Sequence, residues 1–176
     1  METFLPKGFK IPSKSEQFMT LEQGENKIRV VSPASFGYLL FGVDGQTVKP
    51  FRKEGMDDFT MEEILDINPK PNKDGTVQSS KFFMIFCVWN YREKRFQALE
   101  ITQKGIMKKI QKYLEDEDYG NPMEYDLKIN KSGDGLNTEY DVIASPPRKP
   151  ALEIVEAHKT LNYNPKAVFD GKYPFD

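Results

Sequence analysis

The chain has 176 residues, with 25 Lys and Arg against 27 Asp and Glu, a formal net charge of -2, and 38% hydrophobic and 12% aromatic residues. That length suits one domain with a real core, while a single Cys and a single His exclude a disulfide framework and a multi-thiolate or His-rich metal centre. No apolar run approaches the roughly 18 residues of a membrane helix, and residues 1–20 do not read as a signal peptide, so a soluble, cytoplasmic protein without cofactor or membrane partner is expected.

Residues 1–24, with Pro6, Gly8 and Pro12, read as an arm with one short strand around Phe18–Leu21. Gly24 opens a strand at Lys27–Val31, and Phe36–Val43 and Thr47–Phe51 form a hairpin around Asp44-Gly45. Within the irregular stretch 52–80, Thr60 and Glu63 match a capping box, which predicts a short helix over Met61–Asp66. Asn68–Gly75 reads as an exposed loop.

Lys81–Tyr91 is apolar on both parities, Phe83, Ile85, Cys87, Trp89 and Tyr91 against Phe82, Met84, Phe86 and Val88. Such a strand is either central in a covered sheet or keeps one face for a ligand. Arg95–Ile101 is its partner. Thr102 then caps a helix running to about Glu115, with Ile106, Met107, Ile110, Tyr113 and Leu114 inward and Lys104, Lys108, Lys109 and Lys112 outward. Met123–Asn130 and Leu136–Ala144 make a last hairpin around Ser132–Gly135. Ser145–Pro150 reads as a stiff linker, Ala151–Leu161 as a short helix, and Asn162–Asp176 as an aperiodic tail.

This order predicts a mainly β chain: an OB-fold-like, five- to six-stranded antiparallel Greek-key barrel with a helix before the last hairpin. An α+β sandwich with one covering helix gives a similar string. The domain occupies residues 25–145, with an insertion loop at 52–80, an N-terminal arm at 1–24, and linker, helix and tail at 146–176.

No active site is expected. Cys87 sits mid-strand and His158 in an unrelated element, so neither activates the other, and the acids of Glu115–Asp118 lie at a polar helix end. The net charge speaks against a nucleic-acid partner, but its distribution does not. Residues 1–113 carry +4 and residues 114–176 carry -6, and a polyanion responds to the local field. Single-strand binders combine a basic groove with flat side chains on which bases stack. The predicted strands carry Phe36, Tyr38, Phe41, Phe82, Phe86, Trp89, Tyr91 and Tyr140. Of these Phe36, Tyr38, Trp89 and Tyr91 are the stacking candidates. Lys27, Arg29, Lys49, Arg52, Lys81, Arg92, Lys94, Arg95, Lys128 and Lys131 are the candidate phosphate contacts.

Several stretches together resemble bacteriophage single-stranded-DNA-binding proteins of the OB-fold type. They are Gly24–Val30, Val88–Tyr91, Leu99–Lys104, Asp118–Pro122, Tyr125–Ile129, Gly133–Tyr140 and Ser145–Pro150. The resemblance spans roughly residues 20–155. It implies a non-enzymatic protein that coats single-stranded DNA without sequence preference during replication or recombination, in the host cytoplasm, with self-association and replication or recombination proteins as further partners. Some such proteins hold zinc; this chain lacks the ligands. Many end in an acidic tail, whereas residues 151–176 are close to neutral, so Phe169, Tyr173 and Phe175 rather than charge would dock on a neighbour. The alternative is a protein-interaction or structural module of a phage or mobile element, using the aromatic surface as an interface.

Overall fold

The computed structural model describes residues 3–11 and 13–175. Seven strands form one open antiparallel sheet: β1 (Gly24–Val30), β2 (Ser35–Asp44), β3 (Thr47–Glu54), β4 (Lys81–Asn90), β5 (Arg95–Ile101), β6 (Asp126–Ser132) and β7 (Glu139–Ala144). Among the described residues three α-helices accompany them: α1 (Met61–Ile67), α2 (Lys104–Glu115) and α3 (Leu152–His158). The strand count is thus one or two above expectation.

β4 organises the sheet. β5 pairs along one of its edges, Trp89 opposite Phe96 and Met84 opposite Ile101. The other edge is shared end to end. Ser35–Leu39 of β2 pair with its first half, and Ile28–Val30 of β1 with its last three residues. Ser32 bridges the gap, its Oγ accepting the Cys87 N–H at 2.8 Å. β6 lies on β1 and β7 on β6, while β3 pairs with β2. β2 and β3 approach so closely at Gly37 that a Cβ there would run into the Lys53 carbonyl, so only glycine fits. The outer edge of β5 meets the N-terminal segment, where Met19 N–H donates to the Ala98 carbonyl at 2.8 Å. No ladder joins β5 to β7 among the described residues. α2 lies against β7 instead, held by a Lys109–Asp141 ion pair.

Both parities of β4 are covered. Phe86 and Val88 point into a core with Ile28, Leu99, Ile101, Ile106, Tyr125, Leu127, Ile129 and Val142. Phe83 and Ile85 point the other way, onto Leu39, Ala98 and Val168, with Tyr163, Phe169 and Phe175 at the margin. The covering element is the C-terminal tail, which winds through a 3-10 turn at Pro165–Asp170. It is fixed to the N-terminal segment by a reciprocal amide pair. Gln17 donates to the Phe175 carbonyl at 2.9 Å and accepts the Phe175 N–H at 3.0 Å. A fully buried aliphatic side chain contributes about 1.5–3 kcal/mol, so Val168, with the half-buried Tyr163, Phe169 and Phe175, ties the tail into the core.

Other departures have local causes. The capping box at Thr60 and Glu63 forms, and α1 ends on Asn68 in the left-handed region (φ 56°). The segment after it is exposed but anchored: Lys70 N–H donates to the Phe41 carbonyl and Val43 N–H to the Asn68 carbonyl, both at 2.8 Å. Thr102 does not cap α2; Gln103 holds that position without a side-chain bond. Pro122–Glu124 form a 3-10 turn capped by Asn121, so β6 starts three residues later than its alternation suggests. Leu136 sits in a further 3-10 turn, Gly135–Asn137, fully exposed. The Ser145–Pro150 stretch folds back on β6, with Ser145 and Arg148 N–H donating to the carbonyls of Asp126 and Glu124. No helix among the described residues is long and apolar enough to cross a membrane.

Candidate nucleic-acid interface

The fourteen residues singled out above fall into separate neighbourhoods. Lys27, Arg29 and Tyr91 converge on Asp126, a carboxylate with no exposed surface. The Tyr91 hydroxyl donates to it at 2.7 Å, and Arg29 and Lys27 lie 3.6 and 3.9 Å away. Lys27 Nζ also stands 4.4 Å above the Tyr91 ring. Arg29 is 3% exposed and donates to the carbonyls of Met123 and Arg148. It is a structural cation, not a phosphate contact. Arg92, Arg95 and Lys128 reach Glu22, Glu93 and Glu25 at 3.1, 3.1 and 3.7 Å, and Lys131 points to the Leu21 carbonyl. This edge of the sheet is basic in sequence and balanced in space.

Trp89 is 4% exposed and packs edge-on against Phe96, which in turn meets His158 of α3. No free face remains for a base, which corrects its expected role. Phe36 is exposed and Tyr38 half-buried; both flank Phe82, at 6.2 and 5.5 Å between ring centres. Lys81 and Lys94 project into solvent at the two ends of β4.

A different group of side chains forms a cleft of about 750 Å³ between β3, α1 and the C-terminal 3-10 turn. Its aromatic lining is Phe18, Phe51, Phe59, Phe169 and Tyr173, and its basic lining is Lys49, Arg52, Lys53 and Lys172, against the acids Glu63 and Asp170. β3 supplies Lys49–Lys53 from a sheet edge; the capping box orients α1 so that Glu63 meets Lys53 at 2.7 Å. Tyr173 reaches over Phe18, with ring centres 6.3 Å apart, and Lys14 stands 5.6 Å from its face.

The cations differ in freedom. Arg52 forms a two-pronged pair with Glu100, at 2.6 and 3.2 Å, with both side chains largely buried. It therefore holds β3 to the outer face of β5 and is committed there. Lys49 and Asp44 pair in the open, an arrangement that an incoming phosphate replaces at little cost. Of the cleft residues, Lys49 and Arg52 were legible beforehand. The five aromatics were missed, although the adjacent Phe51, Arg52 and Lys53 were a usable signal.

Neither Cys87 nor the buried phenols are poised for chemistry. Burial pushes the Cys87 thiol up to about 12. Burial, then the Asp126 hydrogen bond and charge, does the same to Tyr91; Tyr125 reaches about 12 through burial and the nearby Tyr113, Asp116 and Tyr119. Burial also raises Tyr163. These groups hold protons more tightly folded than unfolded, so their contribution is complete below the unfolded values of 9.0 for Cys and 10.0 for Tyr and is lost as pH climbs towards 12. The urea midpoint is expected to fall steeply across that alkaline window; a flat profile through it would contradict the burial of these groups.

No family model, curated protein or solved structure matches the chain.

Proposed function

We propose that this protein binds single-stranded DNA without sequence preference, as a non-enzymatic coat for transient single strands in phage-type replication or recombination. The observation that carries the reading is the β3–α1 cleft. Aromatic faces and lysines share one open trough, the combination that lets bases stack while the backbone is tracked. In this reading Phe51, Phe59 and Tyr173 receive bases, and Lys49, Lys53 and Lys172 meet phosphates. Arg52 supports them from beneath. Phe36 and Tyr38, around Phe82, are a second aromatic patch one strand away.

The strand path supports an OB-type architecture. β5, β4, β1, β6 and β7 follow one another as neighbours with a helix between β5 and β6, the connectivity of a partly open five-stranded Greek-key barrel. β2 and β3 extend the sheet from the first half of β4, beside β1, and α2 packs against β7.

The test is fluorescence anisotropy of a labelled oligo-dT against a duplex of equal length, across a salt series. With three lysines engaged, log affinity should fall with log salt at a slope of about -2, from about 0.7 per phosphate contact on single strands. Preference for the single strand supports the reading. No anisotropy change at low salt, with the protein folded by circular dichroism, overturns it.

A further inference from the structure

A second depression, sharing no lining residue with the β3–α1 cleft, lies where α2 stands beside the start of β4. This half-open groove of about 550 Å³ is lined mainly by apolar side chains, among them Phe86, Ile110 and Leu114. Three of the chain's seven methionines, Met84, Met107 and Met123, also line it. Methionine is unbranched and polarizable, so a Met-lined trough adapts its shape to an apolar partner and recurs on surfaces that receive peptides. Leu114 stays half exposed on the lip.

The charges lining the groove are of one sign. Among the described residues they are Lys104 and Lys108, and no acid joins them. The two lysines stand one helical turn apart on α2 and both are exposed. Neither has an ion-pair partner among the described residues, whereas the next lysine, Lys109, is held by Asp141. They occupy the first turns of a helix without a side-chain cap, so its partial positive charge adds to theirs. Past Leu114, at the other end, Glu115–Asp118 are exposed. The trough therefore holds an apolar face, and the field along it favours acids at the Lys104 end and repels them at the Leu114 end.

We propose that the α2 groove binds an acidic amphipathic helix of a different protein. Apolar side chains of that helix at i, i+3, i+4 and i+7 enter between α2 and β4. Its carboxylates, at the same one-turn spacing as the lysines, meet Lys104 and Lys108. The field sets its direction, with the acidic end over the start of α2. The proposal does not rest on the DNA reading.

NMR of the whole chain with isotope-labelled methionine methyls tests it. The probe is a synthetic peptide of about 14 residues, long enough to run beside α2 at about 1.5 Å per residue, with Leu at i, i+3, i+4 and i+7 and Glu flanking them. It should shift the Met84, Met107 and Met123 methyls and leave the exposed Met56 and Met61, before and at the start of α1, unmoved. The same peptide with Lys in place of every Glu should bind about tenfold more weakly, through ion pairs lost and repulsions gained at two exposed lysines. Lys104→Glu with Lys108→Glu changes two exposed positions and should invert that preference. No shift with millimolar acidic peptide, shifts confined to other methyls, or equal affinity of the unaltered chain for both peptides overturns the proposal. Oligo-dT or dodecanoate moving these three methyls where the acidic peptide does not would give the groove to a strand or a lipid and overturn it equally. Loss of oligo-dT binding at the β3–α1 cleft leaves the peptide shifts in place, so the two readings fail separately.

Discussion

Asp126→Ala is expected to destabilise the protein by about 3–5 kcal/mol, the range seen when one partner of a buried ion pair is removed. The carboxylate has no exposed surface and gathers the Tyr91 hydroxyl at 2.7 Å, an Arg148 N–H at 2.6 Å and the Arg29 guanidinium at 3.6 Å. Arg29 is the reason for the large effect. Its Nη1 has no hydrogen-bond acceptor, so Asp126 is the charge that compensates a cation 3% exposed. Without the carboxylate that cation stays buried and uncompensated. For a chain of this size the loss corresponds to a fall in Tm of about 6–20 °C.

Asp126→Ala combined with Arg29→Met should recover much of the loss, because an apolar replacement of both members removes the stranded charge. Urea melts of the two single variants and the double variant measure the coupling. A single-variant cost below about 1 kcal/mol would mean that the cluster is held by Arg148 and Lys27 at the surface, not by Arg29. The same cluster fixes Arg148, and with it the return of the Ser145–Pro150 stretch along β6.

Much of the fold was legible because each element declares its own period. The alternation of Tyr125, Leu127 and Ile129, the helical spacing of Ile106, Met107 and Ile110, and the Thr60–Glu63 box all describe local geometry, and all three hold. The two-faced apolar run at Phe82–Trp89 also read correctly as a fork: a covered strand, or a strand with a face kept for a ligand. What resolves it lies about 80 residues away. Val168 and Phe169 cover Phe83 and Ile85, from a tail too short and aperiodic to announce a packing face.

The same remoteness misdirects the site. Trp89 and Arg29 have the residue types of a nucleic-acid contact, but exposure depends on partners in other elements, Phe96 and Asp126, that no local pattern names. Charge suffers likewise. Lys27, Arg92 and Lys128 look like a basic stripe until Asp126, Glu22 and Glu25 are brought beside them. The β3–α1 cleft escaped notice for the converse reason. Its aromatics come from distant parts of the chain, Phe18 near the N-terminus, Phe51 and Phe59 around β3, and Phe169 and Tyr173 in the C-terminal tail, and share no spacing.

If that cleft carries the DNA, Tyr173→Ala should weaken oligo-dT binding about 5- to 150-fold, from about 1–3 kcal/mol per stacked base. Tyr173 is 37% exposed and stands at the rim over Phe18, so its removal should leave the melting temperature nearly unchanged. Phe51→Ala should weaken binding by a similar factor, but with some loss of stability, since Phe51 is half-buried opposite Leu40. Lys49→Ala and Lys172→Ala should act differently, each lowering the salt slope by about 0.7 and leaving the affinity extrapolated to high salt little altered. Phe36→Ala supplies the contrast. It lies outside the cleft beside Phe82, so a full loss of binding there, with Tyr173→Ala silent, would move the strand onto the Phe36–Tyr38 patch and leave the cleft without a role. Trp89 is the wrong reporter for any of these measurements. Packed on Phe96, away from the cleft lining, its emission should follow unfolding and stay flat through a DNA titration.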